Sequence, residues 1–266
     1  MKIVVCVKHV PDIQSERMIG DDGRVMRDGG DGTLNELDEN AIEAALVLAE
    51  THGGAVVVLT AGPADAVDAV RRGLQMGADE AVHVLDDALA GSDVFGTAAV
   101  LAAAIRVIEQ EGPVDLVVTG MAALDGLTSM LPAALAADLG LPQLTLASSI
   151  EAEVGPNGAR VTVRRELDHA TEVLSAATPA LLSVTDQANE PRYPNFKGIM
   201  AARKKAVTTL TLADLGIDPA TVGTSGSRTR VLSATARPAR ENRVLITDNG
   251  DAGRILAAYL VDNKLV

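Results

Sequence analysis

Residues 55–85 read AVVVLTAGPADAVDAVRRGLQMGADEAVHVL, and this stretch decides the fold. Ala55–Thr60 is a continuous apolar run, as expected of a strand buried on both faces. Gly62-Pro63 punctuates it, Ala64–Met76 reads as a helix, Gly77 closes that helix, and Ala81–Leu85 is a second strand. Two buried strands separated by a helix imply a right-handed parallel crossover. The alternation extends both ways. Upstream, Lys2–Val7 is a buried strand and Asp12–Gly32 a polar loop or small hairpin. Asn35 then opens a helix with Leu37, Ala41, Ala44, Ala45, Leu48 and Ala49 at helical spacing, and Glu36, Asp38 and Glu39 at its positive end. Downstream, Ser92 caps a long helix to about Glu111. Asp115–Thr119 is a fourth strand, and Thr128–Leu139 is a helix ended by Gly140.

Beyond residue 141 the pattern turns to strands: Gln143–Ile150, Arg160–Leu167, Thr171–Ala176 and Ala180–Thr185, with a turn at Pro156-Asn157-Gly158. Arg160–Leu167 and Thr171–Ala176 are close enough to pair as a hairpin, and the later strands are expected to extend the first sheet. From about Asn189 regular strands give way to short helices at Leu212–Leu215 and Gly253–Val261. Gly223–Arg240, rich in Thr, Ser and Arg, reads as an extended arm that needs a partner to become ordered. The expected fold is α/β: a doubly wound, mostly parallel sheet with an added antiparallel hairpin and an extended C-terminal arm. The expected organisation is a nucleotide-binding α/β domain over 1–190, a partner-recognition loop and following segment over 191–210, and a C-terminal arm and helix over 211–266.

Composition narrows the function. Of 266 residues 47% are hydrophobic and only 2% aromatic, so the core must be built from Ala, Val, Leu and Ile. An aromatic platform for stacking single-stranded nucleic acid is not expected. The net charge is −13, with 23 basic against 36 acidic side chains. Residues 192–243 nevertheless carry ten basic and three acidic side chains, and 1–191 carry eleven and thirty. An acidic body disfavours nucleic acid, whereas the basic stretch is either a solvated surface or an arm that docks on an acidic partner. The single Cys6 allows no internal disulfide and fits a reducing compartment. No apolar run reaches membrane-spanning length, so no direct membrane insertion is expected. The chain opens directly on the strand-like MKIVVCV without a signal- or transit-peptide pattern, and a cytoplasmic location is the expectation.

Familiar catalytic patterns are missing from the sequence. There is no P-loop, and His9-Val10-Pro11-Asp12 stands where a Gly-x-Gly-x-x-Gly would follow the first strand. Neither His-Glu-x-x-His nor Cys-x-x-Cys suggests a metal site, and no Gly-x-Ser-x-Gly elbow is present. His9, His52, His83 and His169 are widely separated and read as structural, and Cys6 as a buried inert thiol. No catalytic residue and no metal ligand is assigned. What remains is a binding crevice outside the carboxyl ends of the strands, where the winding reverses. Cys6–Lys8, Thr60-Ala61-Gly62 and the Gly120–Met130 loop arrive there. Helix N-termini hold phosphates through free backbone N–H groups, Thr128 and Ser129 add hydroxyls, and Gly120 and Gly126 permit close approach. An ordinary strand-to-helix loop with Asp125 as its cap is the alternative. Small residues around Ala61 leave room for adenine, and Asn35 can hydrogen-bond a base or ribose.

Together these pieces resemble the beta subunit of electron-transfer flavoprotein, over nearly the whole chain. The resemblance is carried by Val7-Lys8-x-Val10-Pro11-Asp12, Leu34-Asn35-x-x-Asp38-x-x-Ala41-x-Glu43-x-Ala45, Gly62-Pro63-Ala64 and Leu74-x-Met76-Gly77-Ala78-Asp79. It continues through Asp115-Leu116-Val117-x-x-Gly120, Gly140-Leu141-Pro142-Gln143-x-Thr145 and Arg165-Glu166-Leu167-Asp168. Asn189-Glu190-Pro191-Arg192-Tyr193, followed by Ile199-Met200-x-Ala202-x-Lys204-Lys205, is its most specific part.

The resemblance implies a non-enzymatic electron carrier: a heterodimer with an alpha subunit that holds most of one FAD, and one structural AMP in beta. Electrons would come from acyl-CoA dehydrogenases and related flavin dehydrogenases and pass to a membrane quinone oxidoreductase. By similarity the AMP site falls on Cys6, Asn35, Glu36, Leu37, Asp38, Ala61 and the loop Gly120, Met121, Ala122, Ala123, Leu124, Asp125, Gly126, Leu127, Thr128, Ser129, Met130 and Leu131. Glu166 would lie near the FAD, with Arg165 pairing across the subunit boundary. Arg192, Tyr193, Phe196, Ile199 and Met200 match the recognition segment, with Phe196 as its apolar anchor. The arm and final helix would wrap the alpha subunit. Two departures stand out: His169-Ala170 replace two glycines, and Met130 stands where the family usually carries Gln. A subgroup binds a second FAD in place of AMP and bifurcates electrons. A stand-alone adenine-nucleotide regulator or ATPase on the same sheet is the alternative from another class.

Overall fold

The computed structural model describes residues 1–27, 29–155, 158–235, 237–239 and 244–266. Strand β1 (Lys2–Cys6) leads into a small antiparallel hairpin of β2 (His9–Pro11) and β3 (Gly32–Leu34), then helix α1 (Glu36–His52). There follow β4 (Ala55–Ala61), α2 (Val67–Met76), β5 (Glu80–Val84), α3 (Val94–Ile108), β6 (Leu116–Gly120), α4 (Leu131–Leu139) and β7 (Gln143–Ala147). Next come β8 (Ser149–Gly155), β9 (Gly158–Glu166), β10 (Thr171–Ala177), β11 (Ala180–Val184), α5 (Phe196–Ala202) and β12 (Thr208–Leu210). A one-turn α6 (Gly223–Gly226) and α7 (Ala252–Asp262) complete the elements.

Seven strands form one parallel sheet in the order β12-β5-β4-β1-β6-β11-β7. Alternate residues feed opposite faces, as period-2 geometry requires. Ile3, Val5, Val56 and Val58 join α1 and α2 in one core, whereas Val4, Cys6, Val57 and Leu59 join α3 and α4 in the other. Both faces are dry, and a fully buried Ile3 or Leu59 contributes roughly 1.5–3 kcal/mol. Because α1 and α2 lie on one face and α3 and α4 on the other, the winding reverses between neighbours β1 and β6. The doubly wound sheet is as the sequence leads one to expect.

Several details differ from expectation. Asp93, not Ser92, caps α3: its carboxylate accepts from Phe95 N and Gly96 N, while Ser92 Oγ accepts from Gly223 N at 2.8 Å. Helix α4 begins at Leu131 rather than Thr128, because Leu127 and Ser129 have φ of 49° and 54°, outside the helical region. The run Gln143–Ile150 is not one strand. It divides at Ser148 after Leu146 takes φ 60°, so that β8 leaves the main sheet. Strands β9 and β10 do pair as a hairpin, but with β8 they form their own three-stranded sheet rather than extending the parallel one. Val161 and Val163 of β9 join the core that α1 and α2 share. Leu212–Leu215 is turn, not helix. Helix α5 and edge strand β12 lack any sequence expectation, since seven and three residues with only Ala202 buried show no periodicity. Within the expected turn at 156–158, Pro156 and Asn157 lie outside the described residues, as do Ala236 and 240–243 of the expected arm.

The chain divides into two compact units, Met1–Leu232 and Ser233–Val266. In the second, α7 buries none of its residues, and Ile255, Leu256, Tyr259 and Val261 are exposed. Among the described residues no helix is long and apolar enough to cross a membrane.

Candidate functional site

The carboxyl ends of β1 and β6 are joined by the start of α1. Asn35, just before that helix, is fully buried, and its backbone N–H donates to Lys8 O. Its side chain does not cap α1. It is used across the crevice instead, donating through Nδ2 to Ala122 O at 3.0 Å and accepting at Oδ1 from Leu124 N at 3.0 Å. Asp38, one turn on, bridges the two strand ends: Oδ2 accepts from Lys8 N at 2.8 Å and Oδ1 from Gly120 N at 3.2 Å. Burial pushes the Asp38 carboxyl up to about 7, although hydrogen bonds from Asn35, Lys8 and Gly120 and the Lys8 charge pull the other way. At Gly120 a Cβ would lie 2.5 Å from Asp38 Oδ1 and 2.9 Å from Leu37 O, so only glycine fits.

Asp125 sits beside this bridge with its carboxylate buried. Oδ2 accepts from Lys8 Nζ at 2.7 Å and from Arg27 Nε at 2.6 Å, so it is not a helix cap. Desolvation alone would raise the Asp125 carboxyl, but the two cations more than offset this and hold it below the ordinary range. Its Oδ1 has no hydrogen-bond partner among the described residues, and neither does the buried Thr60 Oγ1 at the end of β4. Cys6 ends β1, and burial followed by the Asp38 charge pushes its thiol up to about 12. Ala61 and Leu37 are half-buried and Glu36 is exposed. Beyond Asp125 the loop opens: Gly126, Leu127, Thr128, Ser129 and Met130 are all exposed, and Met130 leaves the first turn of α4 without a side-chain cap. The expected crevice residues Cys6, Asn35, Asp38 and Gly120–Asp125 are therefore brought together. Lys8, expected at the crevice, joins it through Nζ, and Arg27 completes the network without having been singled out. Arg27 is 98 residues from Asp125 in a polar loop, and no local pattern marks it.

Glu166 stands apart, exposed at the end of β9. A hydrogen bond from Thr171 foremost, helped by the Arg164 guanidinium at 2.7 Å, holds its carboxyl low against the opposing effect of desolvation. Arg165 pairs within the chain with Glu172. In the Asn189–Lys205 segment, Tyr193 and Phe196 are 87% and 79% exposed, Met200 is exposed and Ile199 half-buried. Phe196, Lys197, Met200, Ala201 and Lys204 border a shallow groove. Arg192, by contrast, is spent on two carboxylates of α1, Glu43 and Glu50. Glu43 and Glu50 lie two turns apart on α1, and nothing in the local sequence pairs them with a residue 149 and 142 positions on.

Comparison with known proteins agrees with this architecture. Residues 22–215 match the family model described as the electron transfer flavoprotein domain. The chain is 44% identical to the electron transfer flavoprotein subunit beta of Mycobacterium leprae and 43% identical to that of Mycobacterium tuberculosis, covering 99% of both partners in each comparison. It is also 36% identical to the caffeyl-CoA reductase–Etf complex subunit CarD of Acetobacterium woodii, over 93% of this chain and 92% of the relative.

Proposed function

The chain belongs to the electron transfer flavoprotein family as a beta subunit, and on that premise we propose that it serves as half of a heterodimer, holding AMP in the β1–β6 crevice while an alpha subunit holds most of one FAD. The observation that carries this reading is the knot at the start of α1, where Asn35 and Asp38 bind β1 to the Gly120–Leu124 loop. The residues fit a nucleotide. Thr60 Oγ1 and Asp125 Oδ1 are buried oxygens awaiting a partner, which a ligand with ring nitrogens and hydroxyls supplies. Lys8 and Arg27 add positive charge, and the uncapped α4 terminus offers backbone N–H groups to a phosphate. Asn35, Glu36, Leu37, Asp38, Ala61 and Gly120–Leu131 would hold the AMP.

FAD supplies the redox chemistry when bound, and AMP supplies none. This chain's residues shape, orient and exclude water. The Cys6 thiol stays protonated at neutral pH and takes no part in electron transfer. The Glu166 carboxylate stays ionised and presents a fixed negative charge toward the flavin side. Tyr193, Phe196, Ile199 and Met200 form the docking face for acyl-CoA dehydrogenases and related flavin dehydrogenases. A membrane quinone oxidoreductase takes the electrons onward, with the carrier working in the cytoplasm. A second reading, implied by the family resemblance alone, is a bifurcating carrier with a second FAD in the crevice.

Co-purification with the alpha subunit tests the proposal. The expected complex is yellow, with about one FAD per heterodimer and AMP released on denaturation. Two FAD and no AMP would select the second reading. A colourless complex, or bound ATP that turns over, would overturn both.

A further inference from the structure

The segment that displays Phe196 is fastened to α1 by a side-chain latch. Asn40 Nδ2 donates to Asn189 O and Oδ1 at 2.9 and 3.2 Å, and Asn189 Nδ2 donates back to Asn40 O at 3.0 Å. Three residues on, the Arg192 guanidinium grips two carboxylates at once. Nε and Nη2 donate to Glu43 at 2.7 and 3.0 Å, while Nη1 and Nη2 donate to Glu50 at 2.6 and 3.0 Å. The Arg192 backbone N–H adds a bond to Glu43 Oε2 at 3.1 Å. Glu43 and Glu50 are seven residues apart, two turns along one face, which suits the planar fork of arginine and not the point charge of lysine. Glu43 is 7% exposed, and the Arg192 guanidinium is the cation paired with its buried carboxylate.

The latch lies close to the element it would control. Pro191 and Pro194 bracket Arg192 and Tyr193 and fix two backbone angles. Asn195 then caps α5, accepting from Gly198 N at 2.8 Å. From Arg192 to Phe196 there are four peptide steps with little freedom to absorb a shift. The far end of α5 is held separately: Arg71 Nη1 donates to Lys205 O at 2.7 Å, and Lys205 Nζ to Ala78 O at 2.6 Å. Phe196 and Tyr193 gain no burial from this arrangement, so their pose is set from its two ends. The helix that takes the load at the near end is α1, whose first turn builds the crevice.

We propose that Arg192 is a positioning residue: through Glu43 and Glu50 it fixes the docking segment Tyr193–Met200 to α1 and sets the pose in which Phe196 meets a dehydrogenase. This deepens, and rests on, the docking role proposed above. The positive charge that meets the partner then belongs to Lys197 and Lys204, which border the groove with Phe196.

The test uses the flavin-loaded heterodimer as electron acceptor for an acyl-CoA dehydrogenase reduced by its acyl-CoA. Arg192→Gln is expected to raise the KM for the flavoprotein about tenfold, with kcat within about twofold and FAD content unchanged. Arg192→Lys, which keeps the charge and loses the double fork, falls between wild type and Arg192→Gln. Glu50→Gln removes an exposed partner only and gives a smaller rise, which keeps the test open should Arg192→Gln fail to fold. Amides of Tyr193–Ala202 exchange about fivefold faster or more in these variants, while those of α3 keep the wild-type rate. Phe196→Ala serves as the independent check on docking. If it raises KM while the Arg192 and Glu50 variants alter neither KM nor local exchange, the positioning role is refuted and docking stands. If Phe196→Ala keeps the wild-type KM, the docking reading falls and takes the proposal with it. Faster exchange throughout α3, or lost FAD, would make Arg192 a general fold support and overturn the proposal as well.

Discussion

At the first turn of α1, Asn35 and Asp38 are buried, and their side chains are bonded to backbone groups of β1 and the β6 loop. Along the same helix, Asn40, Glu43 and Glu50 hold a segment whose Tyr193 and Phe196 stand almost free of the protein. One region hides polar groups and the other displays aromatic ones. A buried polar atom must be satisfied permanently, and beside this knot Thr60 Oγ1 and Asp125 Oδ1 have no partner among the described residues, so the crevice suits a resident ligand. An exposed aromatic ring costs little until a partner covers it, so the segment proposed for docking suits brief contacts. Substitutions and pH should therefore act on stability in the first region and on association in the second.

The largest effect is expected from pH at Asp38. Its folded-state carboxyl is raised from the ordinary 3.8 to about 7 by burial, so the folded chain binds a proton that the unfolded chain has released. Stability then falls as pH rises from about 4 through 7 and is level above that. The shift corresponds to roughly 4 kcal/mol from this group alone. Asp93 and Asp125 act in the opposite sense, because their carboxyls are depressed, and their contribution is lost only as pH falls below the ordinary carboxylate range. Urea midpoints of the chain at pH 5 and pH 8 check this, with Asp38→Asn flattening the difference. An unchanged slope in Asp38→Asn would remove Asp38 as the source.

Next in size is Gly120→Ala, expected to cost about 2–3 kcal/mol and to release bound nucleotide. The neighbours of the new methyl include the Leu37 carbonyl, which cannot move without displacing α1. Denaturant titration together with nucleotide content per heterodimer measures both effects. A variant of wild-type stability would show that α1 is free to shift and would weaken the contrast between the two regions.

The sheet was legible because residues buried on both faces must be apolar, and the helices between them carry their own period and end at Gly77 and Gly140. The crevice was legible in outline, since the reversal of winding follows from strand order. Its internal wiring was not. Asn35 looks like a residue for a base or ribose, yet its side chain is used to knit the loop to α1, and Arg27 reaches Asp125 from a loop with no periodicity. Arg192 was placed among partner contacts by resemblance, and its bonds to Glu43 and Glu50 come from residues 149 and 142 positions away. Such pairings depend on tertiary placement, which no local spacing encodes. The first two residues of β8 were read as the tail of β7 because one positive φ at Leu146 leaves no mark in the run Gln143–Ile150.

A third way to sharpen the contrast lies in the crevice's charges. Arg27→Ala leaves Asp125 with Lys8 and is expected to cost about 1 kcal/mol, while the double variant with Lys8→Ala leaves a buried carboxylate alone. A double-mutant cycle should give a coupling of about 0.5–3 kcal/mol, because both cations share the single oxygen Oδ2. Strict additivity would mean that Asp125 is solvated when either cation leaves.

The smallest stability effect belongs to the aromatic pair. Tyr193→Ser and Phe196→Ser, made singly or together, should change the unfolding free energy by less than about 0.5 kcal/mol, measured from denaturant midpoints of the free chain. Each ring is already mostly in water, so little apolar area leaves the interior when it is removed. Helix α5 keeps its Asn195 cap and its Arg71 and Lys205 anchors in both variants. A loss above about 2 kcal/mol would require these rings to be covered in the free chain. The docking face would then be closed in solution, and Phe196 would have to be released before any partner could meet it. Stability and association would no longer separate along α1, and the division of labour between its two ends would fail.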